Sequence, residues 1–283
     1  MTGSWVPEAW GEAVPVSGIR RYALIEMAAL PPATRNALFG SFDGDSQYWP
    51  LIDDDRQLHL KREGPWLLLV NDQRLREWQN LEPLSCALHA WIESGLEGEQ
   101  LASQLAPAMV IENQEGKRSL LRFYIPELIE RLHAEAPEEC RDSLFGGIQR
   151  WWYRGPNEWM PLAGVYNHKH LSTWKLKVSN DLWAALHGDM EVMNLTAELI
   201  ESAPDLFHDV CSCERPRLVS KALKNAEEQG LTRVSDRRTF AYLQLSQGED
   251  TWASKNMQAL LKQASHSETP LIDLLEEAYG ERN

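Results

Sequence analysis

The chain has 283 residues, 43% of them apolar, with 28 basic and 42 acidic side chains and a formal net charge of −14. That length accommodates one large domain or two modest ones, and the apolar share excludes a disordered chain. The acidic balance argues against a general nucleic-acid binder and against attraction to an anionic membrane, because both require a clustered cationic surface.

Residues 1–16 lack the basic region and the continuous apolar region of a signal peptide. The longest purely apolar run, residues 66–70, is far short of a membrane span. Four cysteines, Cys86, Cys140, Cys211 and Cys213, are too few and too scattered for a disulfide framework, which suits a reducing compartment. The expectation is a soluble cytoplasmic protein. Twelve tryptophans exceed what one core usually needs and point mildly to protein recognition.

Along the chain, residues 20–27 read as a strand, and Pro31-Pro32 opens a short helix to about Phe39. Two acidic clusters, Asp43-Gly44-Asp45 and Asp53-Asp54-Asp55, bracket a loop carrying Trp49-Pro50-Leu51. Gly64-Pro65 turns into residues 66–70, apolar on both faces and hence a central strand. A short helix follows at 73–79. Residues 84–92 alternate as a strand, with Cys86, Leu88, Ala90 and Ile92 on one face and His89 and Trp91 on the other.

Residues 97–106 are helical and stop at Pro107. Residues 109–112 and 118–124 form a hairpin, in which Arg122 and Tyr124 share one face. Pro126 opens a helix with the stripe Leu128, Ile129 and Leu132, and residues 148–153 and 158–162 form a second hairpin. From Ser179 the pattern turns helical. A single amphipathic helix carries Leu182, Leu186, Met190, Met193, Ala197 and Ile200 on its apolar face, ending at Pro204. Four more helices span 216–229, 236–245, 252–264 and 270–279, closed by Gly230, Gly248 and Gly280 where glycine follows them. The expected fold class is α+β: a mixed-sheet lobe with short helices over residues 18–162, a connection over 163–178, and an all-α lobe over 179–283.

Candidate chemistry is sparse. His208, Cys211 and Cys213 read as a helix–helix loop with two small thiols, because Cys-x-Cys is tight for a tetrahedral zinc site and a second element is missing. His168, His170, His187 and Asp189 read as linker polarity. The aspartate loop lacks the glycine and glutamate of a calcium loop, which fall here on Tyr48 and Asp54. Sequence motifs for a nucleophile elbow, a phosphate loop or a helical zinc site are absent. We therefore expect no catalytic residue, no metal and no cofactor.

The order of several short motifs resembles one family, the adaptor proteins of bacterial type VI secretion (Tap or TEC proteins), defined by a domain of unknown function. The motifs are Tyr22-Ala23-Leu24-Ile25-Glu26, Trp49-Pro50-Leu51-Ile52, Gly64-Pro65-Trp66-Leu67, Arg122-Phe123-Tyr124-Ile125-Pro126-Glu127, and Phe145-Gly146-Gly147-Ile148 with Trp151. Two departures stand out: Glu26 replaces an Asp, and Ile125 and Glu127 replace the Asp and Arg of an Asp-Pro-Arg step, removing one charge pair. The resemblance covers roughly residues 20–160. It implies a non-enzymatic loading factor that binds a cognate effector toxin and brings it to the trimeric spike protein VgrG. The side chains expected to bind partners are Tyr22, Glu26, Trp49, Trp66, Trp91, Arg122, Tyr124, Glu127 and Trp151. The competing expectations are an immunity protein that blocks a toxin and, less favoured, a hydrolase built on His89 or the His168/His170 region.

Overall fold

Strand β1 (Arg20–Glu26) is buried along nearly its whole length, as a strand in the interior of a sheet covered on both faces must be. In the computed structural model it lies inside a six-stranded sheet of order β2 (Tyr48–Pro50), β3 (Pro65–Val70), β1, β4 (Leu88–Ser94), β7 (Ile148–Arg154), β8 (Trp159–Ala163). Every pairing in this sheet is antiparallel. The structure describes residues 5–12, 17–42, 44, 47–81, 84–155, 158–165, 173–187, 190–208, 210–211, 214–248 and 254–279.

The period-two alternation of the strands divides the first unit's interior into two cores. Tyr22, Leu24, Leu67, Ala90, Ile92 and Trp151 face one side, where α6 (Gly98–Leu105), α7 (Pro126–Glu135), α8 (Glu138–Phe145) and α9 (Asn180–His187) cover them. Ala23, Ile25, Leu68, Trp91 and Trp152 face the other, packed by α1 (Glu8–Glu12), α2 (Pro32–Gly40), α4 (Asp72–Trp78) and α5 (Leu84–Ala87). The remaining helix of this region, α3 (Leu58–Glu63), precedes β3. A small second sheet joins β6 (Arg118–Leu120), β5 (Val110–Glu112) and β9 (Leu176–Lys177), with β5 and β9 parallel.

The chain divides into two units, Met1–Leu186 and His187–Asn283. The second is helical over its described residues. Its core is built by α10 (Met190–Ser202), α11 (Arg215–Glu228), α12 (Val234–Gln247) and two further helices, Lys255–His266 and Leu271–Tyr279. Gly230 and Gly248 follow α11 and α12 at positive φ, the left-handed conformation that lets a helix end turn away. Buried Asp236 accepts the Leu271 N–H at 3.0 Å and an Arg233 bond at 2.7 Å, tying α12 to the start of the last helix.

The α+β class agrees with the sequence. The boundary and several elements do not. Residues 176–177 form strand β9, and Leu182 and Leu186 of α9 enter the first unit's core. The expected connection and the first helical turns thus belong partly to the first unit; residues 166–172 lie outside the described ones. The anticipated single helix is two helices, α9 and α10. In α10 the buried apolar residues are Val192, Leu195 and Leu199, while Met193 and Ile200 are exposed, because α10 packs on a different core and starts a new phase. Helix α8 had no sequence-based expectation. Residues 84–87 are helical, so the strand begins only at Leu88. No helix among the described residues is long and apolar enough to cross a membrane.

Candidate functional site

Alternation along β1 places Glu26 on the same face as Tyr22 and Leu24, at the strand's end, where its side chain is only 6% exposed. A carboxylate so buried must be matched by cations or hydrogen bonds. The first match comes from a break in the neighbouring strand. Leu24 pairs with Ala90 but Ile25 pairs with Leu88, so His89 is the extra residue of a β-bulge. The bulge brings the His89 Nε2 atom within 3.3 Å of Glu26 Oε2. It also moves Leu88 into the core of Trp91, away from that of Ala90 and Ile92, which corrects the strict alternation expected for residues 84–92.

The second match is Arg122, whose guanidinium lies 2.7 Å from Glu26 Oε1. Its segment is not the strand face anticipated for Arg122 and Tyr124: β6 ends at Leu120, and the Ile125 N–H donates to the Arg122 carbonyl at 3.0 Å in a turn before α7. The turn buries Phe123 and Tyr124 together and leaves the Arg122 side chain 53% exposed. The Tyr124 ring sits 4.9 Å from the His89 ring. Burial, reinforced by the Glu26 charge, pushes the Tyr124 hydroxyl pKa far above its ordinary value. One buried carboxylate therefore gathers a histidine, an arginine that reaches the surface, and a tyrosine ring next to that histidine.

The other nominated residues are placed as follows. Tyr22 is fully buried, donates to the Leu96 carbonyl at 2.8 Å, and has its pKa raised, chiefly by burial. Trp91 and Trp151 are fully buried in the two cores. With Tyr124 they serve the interior, and this corrects their assignment to a partner-binding surface. Trp49 is half-buried and packs against the start of α6, where a Cβ on Gly98 would fall 2.0 Å from its ring. Only glycine admits that approach. Trp66 is half-buried on β3, its indole N–H donating to the Lys61 carbonyl at 2.9 Å. Glu127 is exposed in the first turn of α7, where a negative charge is favoured, and Ile125, at the other departure, packs against the core.

The tryptophan surplus is largely interior. Trp10, Trp78, Trp91, Trp151, Trp152 and Trp159 are buried, and Trp5, Trp49, Trp66, Trp174 and Trp183 are half-buried. Trp91 alone touches Trp5, Trp10 and Trp159 at ring distances of 5.8, 5.0 and 6.2 Å. Among the described residues, no group of three His, Cys, Asp or Glu side chains is arranged to hold a metal. Asp43, Asp45, His168, His170, Asp189 and Cys213 lie outside them. Cys140 is a buried free thiol, its pKa raised mainly by burial.

Sequence reasoning nominated Glu26, Arg122 and Tyr124 separately and named His89 only for the hydrolase alternative. What it lacked was the bulge. The site thus defines an α+β chain in which an ion-paired carboxylate joins the central sheet to the turn before α7. Residues 21–143 match the model of a family described as a domain of unknown function, DUF4123, a span that includes all four of these residues. No curated protein and no solved structure matches the chain.

Proposed function

We propose that this chain is a cytoplasmic, non-catalytic adaptor of type VI secretion that binds a cognate effector toxin and delivers it to the VgrG spike protein. The observation that carries this reading is the meeting of Glu26 and Arg122. Two of the five segments bearing the family resemblance, far apart in sequence, converge on one carboxylate, and the arginine of the pair keeps half of its side chain in solvent. Arginine so placed is a frequent anchor of protein interfaces. The DUF4123 match over residues 21–143 supports the same reading.

The hydrolase alternative draws on the His89–Glu26 pair. Those side chains are 4% and 6% exposed, and a general base must come within hydrogen-bonding reach of its substrate. Both Glu26 oxygens are also engaged by neighbouring cationic or ionisable groups. The arrangement favours a structural joint over proton transfer.

The decisive experiment is co-purification of the full chain with any effector and spike protein found encoded beside it, followed by deletion of the adaptor. The expected result is a complex with the effector, and loss of effector export with the effector's activity in vitro unchanged. Absence of any complex at micromolar concentration overturns the reading. Abolition of toxicity on co-expression assigns the chain to immunity instead.

A further inference from the structure

Helix α2 turns Pro32, Arg35, Asn36 and Phe39 to a single side, because residues at i, i+3, i+4 and i+7 share a helix face. That face, together with Tyr48 of β2, Arg62 of α3 and Trp66 of β3, lines a surface pocket of about 360 Å³, within the size range of ligand sites. Its apolar wall is built in advance. Phe39 meets Tyr48 at 5.0 Å and Trp66 at 5.2 Å, both edge to face, and Tyr48 and Trp66 lie 5.7 Å apart. The Trp66 indole is further fixed by its bond to Lys61.

The charge at this pocket runs against that of the chain. At a net charge of −14, many of the arginines elsewhere are matched by acids, among them Arg56 by Asp54, Arg118 by Glu112 and Arg237 by Glu191. Arg35 and Arg62 form no ion pair among the described residues. Two guanidiniums without carboxylates, set beside three locked rings, complement a carboxylate adjoining a flat or aliphatic group. The pocket also lies by β2, the edge strand of the large sheet, where an extended chain can run past rather than enter a closed cavity.

We propose that this pocket docks a short segment of a protein partner in which an Asp or Glu side chain adjoins an aromatic or aliphatic one. The carboxylate sits between Arg35 and Arg62, and the apolar side chain lies on Phe39, Tyr48 and Trp66. The inference rests on the adaptor reading only for the partner being a protein.

The test is panning of a random peptide phage library on the full chain, alongside the Arg35→Glu/Arg62→Glu variant, whose substitutions sit at the surface. The expected peptides place an acid beside an apolar residue, and the variant binds them at least about tenfold more weakly, the scale of a charge-assisted pair. No enrichment, enrichment without acids, or equal binding by the variant overturns the proposal. Concentration-dependent dimerisation of the chain, abolished by the variant, overturns it in favour of a second copy as occupant. The two readings fail separately. If the variant still captures the neighbouring effector as tightly as the wild-type chain, the pocket assignment falls and the adaptor stands. If peptides bind but neither effector nor spike is captured, the adaptor falls and the pocket stands.

Discussion

Glu26 shows what a single buried charge demands of its surroundings. Its desolvation is offset by Arg122, and the bulge sets the His89 ring beside it, so Glu26 and Arg122 stand or fall together. Replacing Arg122 by Met keeps the stem and removes the charge. Because Arg122 is half exposed, solvent screens part of the loss, and the expected cost is about 1–3 kcal/mol. The Glu26→Gln/Arg122→Met pair is expected to cost less than the sum of the single changes, with a coupling of about 1 kcal/mol or more in urea unfolding. Strict additivity would mean that the pair carries no stability. Glu26, Arg122 and Tyr124 were each legible as unusual residues in the sequence. Their convergence with His89 was not, because the bulge depends on how β1 and β4 register against each other.

At the scale of elements, the small sheet illustrates how one side chain can hold three strands. Glu112 of β5 faces Arg118 of β6 at 2.6 Å and Lys177 of β9 at 3.4 Å. The Arg118 hydrogen bond, ahead of the contribution of Lys177, holds the Glu112 pKa below its ordinary value. A depressed carboxylate stabilises the folded state above its unfolded pKa and loses that contribution as the pH falls through the folded one. The stability gap between the wild-type chain and Glu112→Gln is therefore expected above about pH 5 and to close on acidification. Urea unfolding at neutral and acidic pH measures it, and a gap independent of pH would refute the assignment. Elements were recovered from sequence where local signals are strong: Pro32 and Pro126 at helix starts, the strand β1, and the doubly apolar β3. They were missed where neighbours decide, as in α10, whose buried face is Val192, Leu195 and Leu199 rather than Met193 and Ile200.

At the scale of the whole chain, the division into two units makes a direct prediction. The cores of the second unit, formed by residues such as Val192, Leu195, Phe207, Leu223, Phe240, Leu261 and Leu274, are complete within His187–Asn283. Residues 187–283 expressed alone are expected to give a helical circular dichroism spectrum and a cooperative thermal transition. A non-cooperative melt would show that this unit requires the first.

The sequence by itself determined the α+β class, the two-sided burial of β3 and the glycine stops at 230 and 248, because these follow from periodicity and backbone sterics acting within a few residues. Only the tertiary structure decided which core Leu182 and Leu186 would join, that most tryptophans would face inward, and that Arg35 and Arg62 would stand together without acids beside three aromatic rings. The reason is physical. Periodicity specifies that a face is buried, whereas the identity of what covers it, and of what it leaves open, depends on contacts between segments distant in the chain.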